Sequence, residues 1–420
     1  MAKILILIGG HLCNAPRPQK EAETLALAGH DVTVQGAWFD PALIQRDKEL
    51  LLNKPYHFQP YLNFQPSHRL LNWQVRSQSR IARECFQRFF WFSPDLLGYG
   101  ARATLNAARR FRADLTIVHF EAGLWVGHQL LQEGLRVGVD FEDWFSEDLL
   151  PEALTHRPIS HLKTLEARLI KNCQYCLTTS HAMAEAMAIA YSAPKPTVIY
   201  NAFPWAERTH LDHQIKDRHN LDIPSLHWFS QTIGPGRGLE TLFQALPDLM
   251  MPVEIHLRGN YPDSSRQWLE PIIPLEWRDR IFIHPLVSNT ELPSRIAEHD
   301  IGLALESSEI PSRNLTITNK LFQYLQAGLA VIATDTTGQR EIFEKCPSIG
   351  QLIPSGNPEA LAQALNSLLS DSERLATAKA AALIAAQTNL SWENQSQQLV
   401  NLVHTVVKTK KSSYPITHVS

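Results

Sequence analysis

The chain has 420 residues, 44% of them hydrophobic and 19% charged, with a formal net charge of −3. That length is enough for two or three separate cores, and the near-neutral balance excludes the basic excess of a dedicated nucleic-acid binder. No apolar run approaches the roughly 18 residues of a membrane span, and five cysteines without a disulfide framework point to a reducing, cytoplasmic setting.

The opening KILILIGG (3–10) reads as a short apolar strand ending in glycines, too short in its apolar part for a secretory signal. Residues 17–30 carry Ala22, Leu25, Ala26 and Gly29 at helical spacing, and a second strand begins at DVTVQGAW. Further strands are expected at 114–120, 135–141, 175–180 and 197–201, with helical patterns interleaved. Such alternation predicts a parallel sheet covered by helices on both faces. Cys173 and Cys176 form a single C-x-x-C at a strand entry; with no second pair, they read as structural.

Residues 66–92 stand apart. They hold five arginines and a cluster of aromatics on a predicted helix, a composition that suits peripheral contact with an anionic membrane face or a helical layer with its arginines in solvent. Residues 201–225 are polar, carry two prolines and lack a clean period, and read as a linker.

Beyond it the scheme repeats. Apolar runs at 227–232, 253–259, 281–286, 300–305 and 330–335 alternate with helix-like segments. The expected organisation is therefore α/β, with two Rossmann-like, doubly wound domains over 1–205 and 206–390 facing a central cleft. A helix at 391–408 packs back on the first domain, and a disordered tail follows at 409–420. Ligands of such sheets bind at the carboxyl ends of the strands.

SQTIGPGRGLETLFQAL (230–246) places Gly234, Gly236 and Gly238 just before a helical pattern at Leu239, Leu242, Phe243 and Leu246. A glycine-rich turn opening a helix suits a phosphate, through backbone N–H groups and the helix dipole. The spacing fits neither a dinucleotide fingerprint nor a P-loop.

The stretches GRGLETLFQAL, EIHLRGN, NTELPSRIAEHDIGLAL and TNKLFQYLQAGLAVIATDTTGQREI together resemble the nucleotide-binding domain of GT-B, retaining glycosyltransferases of family 4. APRPQKEAETLALAGHDVTV, VDFEDWFSED and TTSHAMAEAM resemble motifs of that family's first domain. The resemblance spans most of residues 1–395 and is absent over 45–110. It implies a donor nucleotide-sugar on the second domain and an acceptor, saccharide or lipid-linked, on the first.

The same resemblance assigns candidate residues. Arg237 takes the place of the family's lysine, with Gly236 and Gly238 around it, and a guanidinium can bridge two phosphate oxygens. Lys320 supplies a second cation, Asn319 precedes it, and Gln323 replaces a ribose-binding glutamate, keeping an acceptor without the charge. The family's earlier glutamate falls on Leu315, so its contact would come from Glu306 or Glu309. The family's arginine five residues before its lysine falls on Thr232.

On the first domain Gly9, Gly10 and His11 end the first strand, and Arg17 begins the next helix. His119 and Glu121 stand in the family's HAH segment, and Glu142 and Asp143 in its DAHE segment. Paired carboxylates of this kind bind acceptor hydroxyls or remove a proton. A satisfied structural histidine is the plainer reading of His119.

The chain has no D-x-D triplet, and its eighteen histidines are scattered without ligand spacing. Metal independence and the absence of any cofactor are expected. The reading is a hexosyl transfer with retention. Its alternatives are a nucleotide-sugar epimerase of the same shape, which would act without an acceptor, and a non-catalytic nucleotide- or sugar-binding subunit.

Overall fold

The computed structural model describes residues 1–65, 69–149 and 157–409. The expected tail from 410 onward and residues 66–68 of the basic, aromatic segment lie outside the described residues. Two compact units are formed. The first takes Met1–Thr179, Met183–Ile199 and the C-terminal segment from Ser396, and the second takes Ser180–Ala182 and Tyr200–Gln395.

The first unit is built on seven parallel strands: β1 (Lys3–Leu7), β2 (Asp31–Trp38), β3 (His57–Asn63), β4 (Leu115–Val118), β5 (Val137–Phe141), β6 (Tyr175–Thr178) and β7 (Thr197–Val198). Their order is β3-β2-β1-β4-β5-β6-β7. A parallel sheet is covered on both faces, so its strands read as continuous apolar runs; Ile4 to Leu7 and Leu115, Ile117 and Val118 are all fully buried. At the edge, β3 buries only Leu62 and contains Pro60, which is tolerated there because an edge strand can do without one N–H.

The second unit holds β8 (Ser225–Thr232), β9 (Glu254–Asn260), β10 (Ile281–His284), β11 (Ile301–Ala304), β12 (Ala330–Thr334) and β13 (Gly350–Ile353). They are parallel, in the order β10-β9-β8-β11-β12-β13. Its core gathers Trp228, Leu239, Leu242, Phe243, Leu303 and Leu365 with their neighbours. Gly302 in β11 lets the Tyr324 ring lie on the sheet, since a Cβ there would come within 2.2 Å of the ring.

In both sheets the chain runs outward from one central strand and then returns to the other side of it. The reversal falls between β1 and β4 in the first unit and between β8 and β11 in the second. Crevices at the carboxyl ends of such strand pairs are the ligand sites of open α/β sheets.

The segment read as a linker differs from expectation. Asp212, Asp217 and Arg218 anchor it inside the second unit: Arg218 bonds Glu254 at 3.0 Å and Asp300 at 3.2 Å, and Asp212 bonds Arg295 at 2.6 Å. Its polar residues look like a tether in sequence because their partners lie about 35 to 85 positions away. The region 45–110 supplies helices Arg69–Phe89 and Ala101–Phe111 as well as β3. Among the described residues no helix is long and apolar enough to cross a membrane.

Candidate functional site

The β8 loop of the second unit turns through Gly236 (φ 73°) and Gly238 (φ 82°) into helix Leu239–Ala245. Gly238 lies against Leu305, where an added Cβ would come within 2.2 Å of the Leu305 Cβ and 2.6 Å of its carbonyl oxygen. That contact brings the loops after β8 and β11 together at the topological switch point. The Gly236 N–H donates to Glu240 Oε1 at 2.9 Å, and the Arg237 carbonyl accepts from the Trp228 indole at 3.2 Å. The backbone of the loop is thereby fixed, while the half-buried Arg237 guanidinium makes no hydrogen bond or ion pair among the described residues.

Lys320 and Glu306 meet in the same place. Lys320, the second residue of helix Asn319–Ala327, is buried and donates to Glu306 Oε1 at 2.5 Å, with Thr318 Oγ1 donating to the same oxygen at 3.2 Å. Burial of Glu306 opposes its charge, yet Lys320, with a smaller contribution from Arg237, holds its carboxyl below the usual range. Lys320, expected as a second cation beside the diphosphate, thus stands ion-paired to a carboxylate. Glu306 is likewise committed to Lys320 and Thr318, so the contact expected at Leu315 has one remaining candidate in Glu309, which is exposed.

Asn319 accepts from the Asn201 amide at 2.7 Å. Gln323 is half-buried on the same helix, and its neighbour Tyr324 is fixed by bonds to the His227 and Leu303 carbonyls. Thr232 is exposed at the end of β8, and Leu315 closes the short helix Pro311–Leu315.

In the first unit Gly9, Gly10 and His11 follow β1. His11 is buried and its Nε2 accepts from the Phe39 and Asp40 N–H groups at 3.1 Å each. The ring must then carry its proton on Nδ1, which donates to Asp47 Oδ2 at 3.0 Å. His11 is therefore a structural clamp on the loop after β2, and its ring is not open to a phosphate. Arg17 is also held by protein partners: it is buried, with Nε on Asp140 Oδ2 at 2.6 Å and one terminal nitrogen on the Ile199 carbonyl at 2.7 Å.

His119 lies at the centre of a network that the sequence did not reveal. Its Nε2 meets Glu21 Oε2 at 2.5 Å and its Nδ1 meets Glu142 Oε1 at 2.9 Å. Tyr175 donates to the other oxygen of Glu21. Burial alone would lower the imidazole pKa, but the Glu21 charge and the hydrogen bonds to Glu142 and Glu21 push it up to about 10. His119 is thus an imidazolium between two carboxylates. Glu142 is the partly exposed member, and Asp143 beside it is half-buried. Glu121, the first residue of helix Glu121–Gln132, is paired with Arg157; burial nevertheless raises its pKa.

Glu21, His119 and Asp140 bring three ligand atoms within 4.8 Å of one another. These ligand atoms already have protein partners: the two ring nitrogens of His119 meet Glu21 and Glu142, and Asp140 accepts from Arg17. Four further histidines gather in the second unit, where sequence spacing showed only scatter. His227 and His256 pair across β8 and β9, and rings stack at 4.6 Å for His227 with His299 and 5.2 Å for His256 with His284. Burial is the main force holding His256 down to about 2 and His284 down to about 4, which makes the stack neutral core packing.

Residues 225–371, from β8 through helix Pro358–Leu369, match the family described as glycosyl transferases group 1. The matched segment lies wholly within the second unit. No curated protein matches the chain by sequence. Among solved structures, Anabaena HepE in complex with UDP is 18% identical, with a TM-score of 0.66 and coverage of 96% of this chain and 100% of that one. Sucrose-phosphate synthase from Thermosynechococcus elongatus is 15% identical, with a TM-score of 0.70 and coverage of 97% and 99%. A Listeria monocytogenes protein assigned as a UDP-N-acetylglucosamine 2-epimerase is 12% identical, with a TM-score of 0.58 and 97% of each chain covered. At these identities the likeness is one of fold: two Rossmann-like domains of the GT-B type.

Proposed function

We propose that the protein transfers a hexosyl group from a nucleotide-sugar donor to an acceptor hydroxyl, with retention at the anomeric carbon and without a metal ion. The observation that carries this reading is Arg237. Its guanidinium makes no hydrogen bond or ion pair among the described residues, and it stands on a backbone-fixed glycine loop at the switch point of the unit that matches the group 1 glycosyltransferase model. Breaking the anomeric bond develops negative charge on the departing diphosphate, and such charge is best met by donors already in position. Arg237 can bind two phosphate oxygens at once. Lys320 and Glu306 form a buried pair that fixes the floor beside it. Gln323 faces the ribose in this reading, and Glu309 the donor sugar.

The acceptor belongs to the first unit, where Glu142 offers a partly exposed carboxylate held in place by the His119 imidazolium. Glu142 orients the acceptor hydroxyl, and a departing phosphate oxygen takes the proton. HepE has been crystallised with UDP-glucose, which makes UDP-hexoses the first donors to try.

The test is product analysis with UDP-, GDP-, ADP- and dTDP-hexoses, each with and without saccharide and lipid-linked acceptors. The proposal predicts donor consumption that depends on acceptor, giving a glycoside with the donor's anomeric configuration. An epimerised donor formed without acceptor would establish the epimerase reading instead. Binding of donors with no turnover on any acceptor would leave a binding subunit.

A further inference from the structure

Helix Arg69–Phe89 of the first unit turns Val75, Ser79, Ala82 and Phe86 inward. Its opposite face is unusual for a solvated helix. Trp73 is 73% exposed, and the helix runs out into three consecutive exposed aromatics, Phe89, Phe90 and Trp91, the last two at 74% and 68%. Ile81 is exposed between them. Arg76, Arg80, Arg83 and Arg88 stand exposed on the same helix. Over residues 69–89 five arginines face one glutamate, in a chain whose net charge is −3.

The aromatic cluster is held in position. Phe90 has φ 56°, a left-handed conformation that glycine normally takes at the end of a helix and that a bulky residue adopts only under constraint. Its N–H still bonds the Phe86 carbonyl at 2.9 Å, and the Phe86 and Phe90 rings meet edge to face at 5.9 Å. The Phe89 and Trp91 rings lie 5.4 Å apart. This strained end displays aromatic surface to solvent, where burying it would have stabilised the unit.

We infer that this face docks on an anionic lipid bilayer, with the arginines on phosphate headgroups and the aromatics at the headgroup level. Charge complementarity selects that occupant. A cationic helix with aromatic and aliphatic side chains among its arginines matches a surface that is anionic outside and apolar beneath, and aromatic rings favour that interface. The inference goes beyond the proposed glycosyl transfer and does not depend on it.

Co-sedimentation of the full chain with phosphatidylcholine vesicles, and with phosphatidylcholine mixed with phosphatidylglycerol, tests it. Binding is expected to the anionic vesicles, weakening as salt is added. It should fall roughly fivefold for each of Arg76→Gln, Arg80→Gln and Arg83→Gln. Phe90→Ser combined with Trp91→Ser should release the protein while leaving its circular dichroism unchanged, since both side chains are exposed. If that pair unfolds the protein, the arginine series and the salt series still decide. Equal binding to both kinds of vesicle, or none to either, would overturn the inference. So would a dimer in solution that Phe90→Ser and Trp91→Ser dissolve without any vesicle binding, because the face would then belong to a second copy.

Discussion

Charge at the strand ends of the two units is set by pairs, and what is left over differs between them. In the second unit Lys320 and Glu306 cancel, so Arg237 is the cation that remains for a ligand. In the first unit Arg17 is spent on Asp140 and His119 on Glu21, and Glu142 is the carboxylate with a partly open side. One residue-level consequence is measurable. The folded His119 has its pKa raised from 6.5 to about 10, so its contribution to stability is full below pH 6.5 and is lost as pH rises through about 10. Raising the pH across that window should lower the melting temperature of the wild type, by a loss on the order of a few kcal/mol. His119→Gln should flatten the slope. Parallel pH slopes for the two proteins would contradict the imidazolium.

At the scale of elements, the loop from β8 into helix Leu239–Ala245 depends on its three glycines for different reasons. Gly238 has both a positive φ and Leu305 in the way of a Cβ; Gly236 has the positive φ with open space; Gly234 has neither constraint. Alanine at 234 should leave the melting temperature unchanged or slightly higher, because it only restricts the unfolded chain. Alanine at 236 should cost about 1–2 kcal/mol for the left-handed backbone. Alanine at 238 should cost clearly more, and it should also disturb Glu306, the residue after Leu305. Thermal melts of the three variants check the order, and equal effects at 236 and 238 would contradict the Leu305 contact. The glycine pattern was visible in sequence, but the ranking was not, because Leu305 lies 67 positions further along the chain.

Other elements show the same limit. The central strands were legible because burial on both faces writes an uninterrupted apolar run, as in KILIL. The edge strand β3 was not, since an edge needs no such run and HFQPYLN mixes polar and apolar residues with only Leu62 buried. Glu21 could not be recognised as a partner of His119 across 98 positions, because it sits among other polar residues in the middle of helix Pro16–Leu27. The four histidines come from β8, β9, β10 and the turn before β11: register pairs His227 with His256, His284 lies two residues past the register partner of His256, and the turn brings in His299. The turn that carries Arg237 was legible because its glycine neighbours mark the loop locally.

For the whole molecule, repetition of one strand order gives two units with the same kind of crevice and opposite unspent charge. On the proposed reading the second offers Arg237 to an anion, and the first offers Glu142 to a hydroxyl. A protein that works on a nucleotide-sugar and a second substrate needs that division. The basic, aromatic helix of the first unit adds a surface of a third chemistry, suited to a lipid face. The central claim is that Arg237 holds the donor diphosphate. Its most direct test is calorimetric titration of wild type and Arg237→Ala with UDP and with whichever nucleotide-sugar the donor panel selects. The account predicts that Arg237→Ala melts at the wild-type temperature but binds at least tenfold more weakly, since a charged hydrogen bond contributes about 1.5–3 kcal/mol. Unchanged nucleotide affinity in a folded Arg237→Ala protein would contradict it.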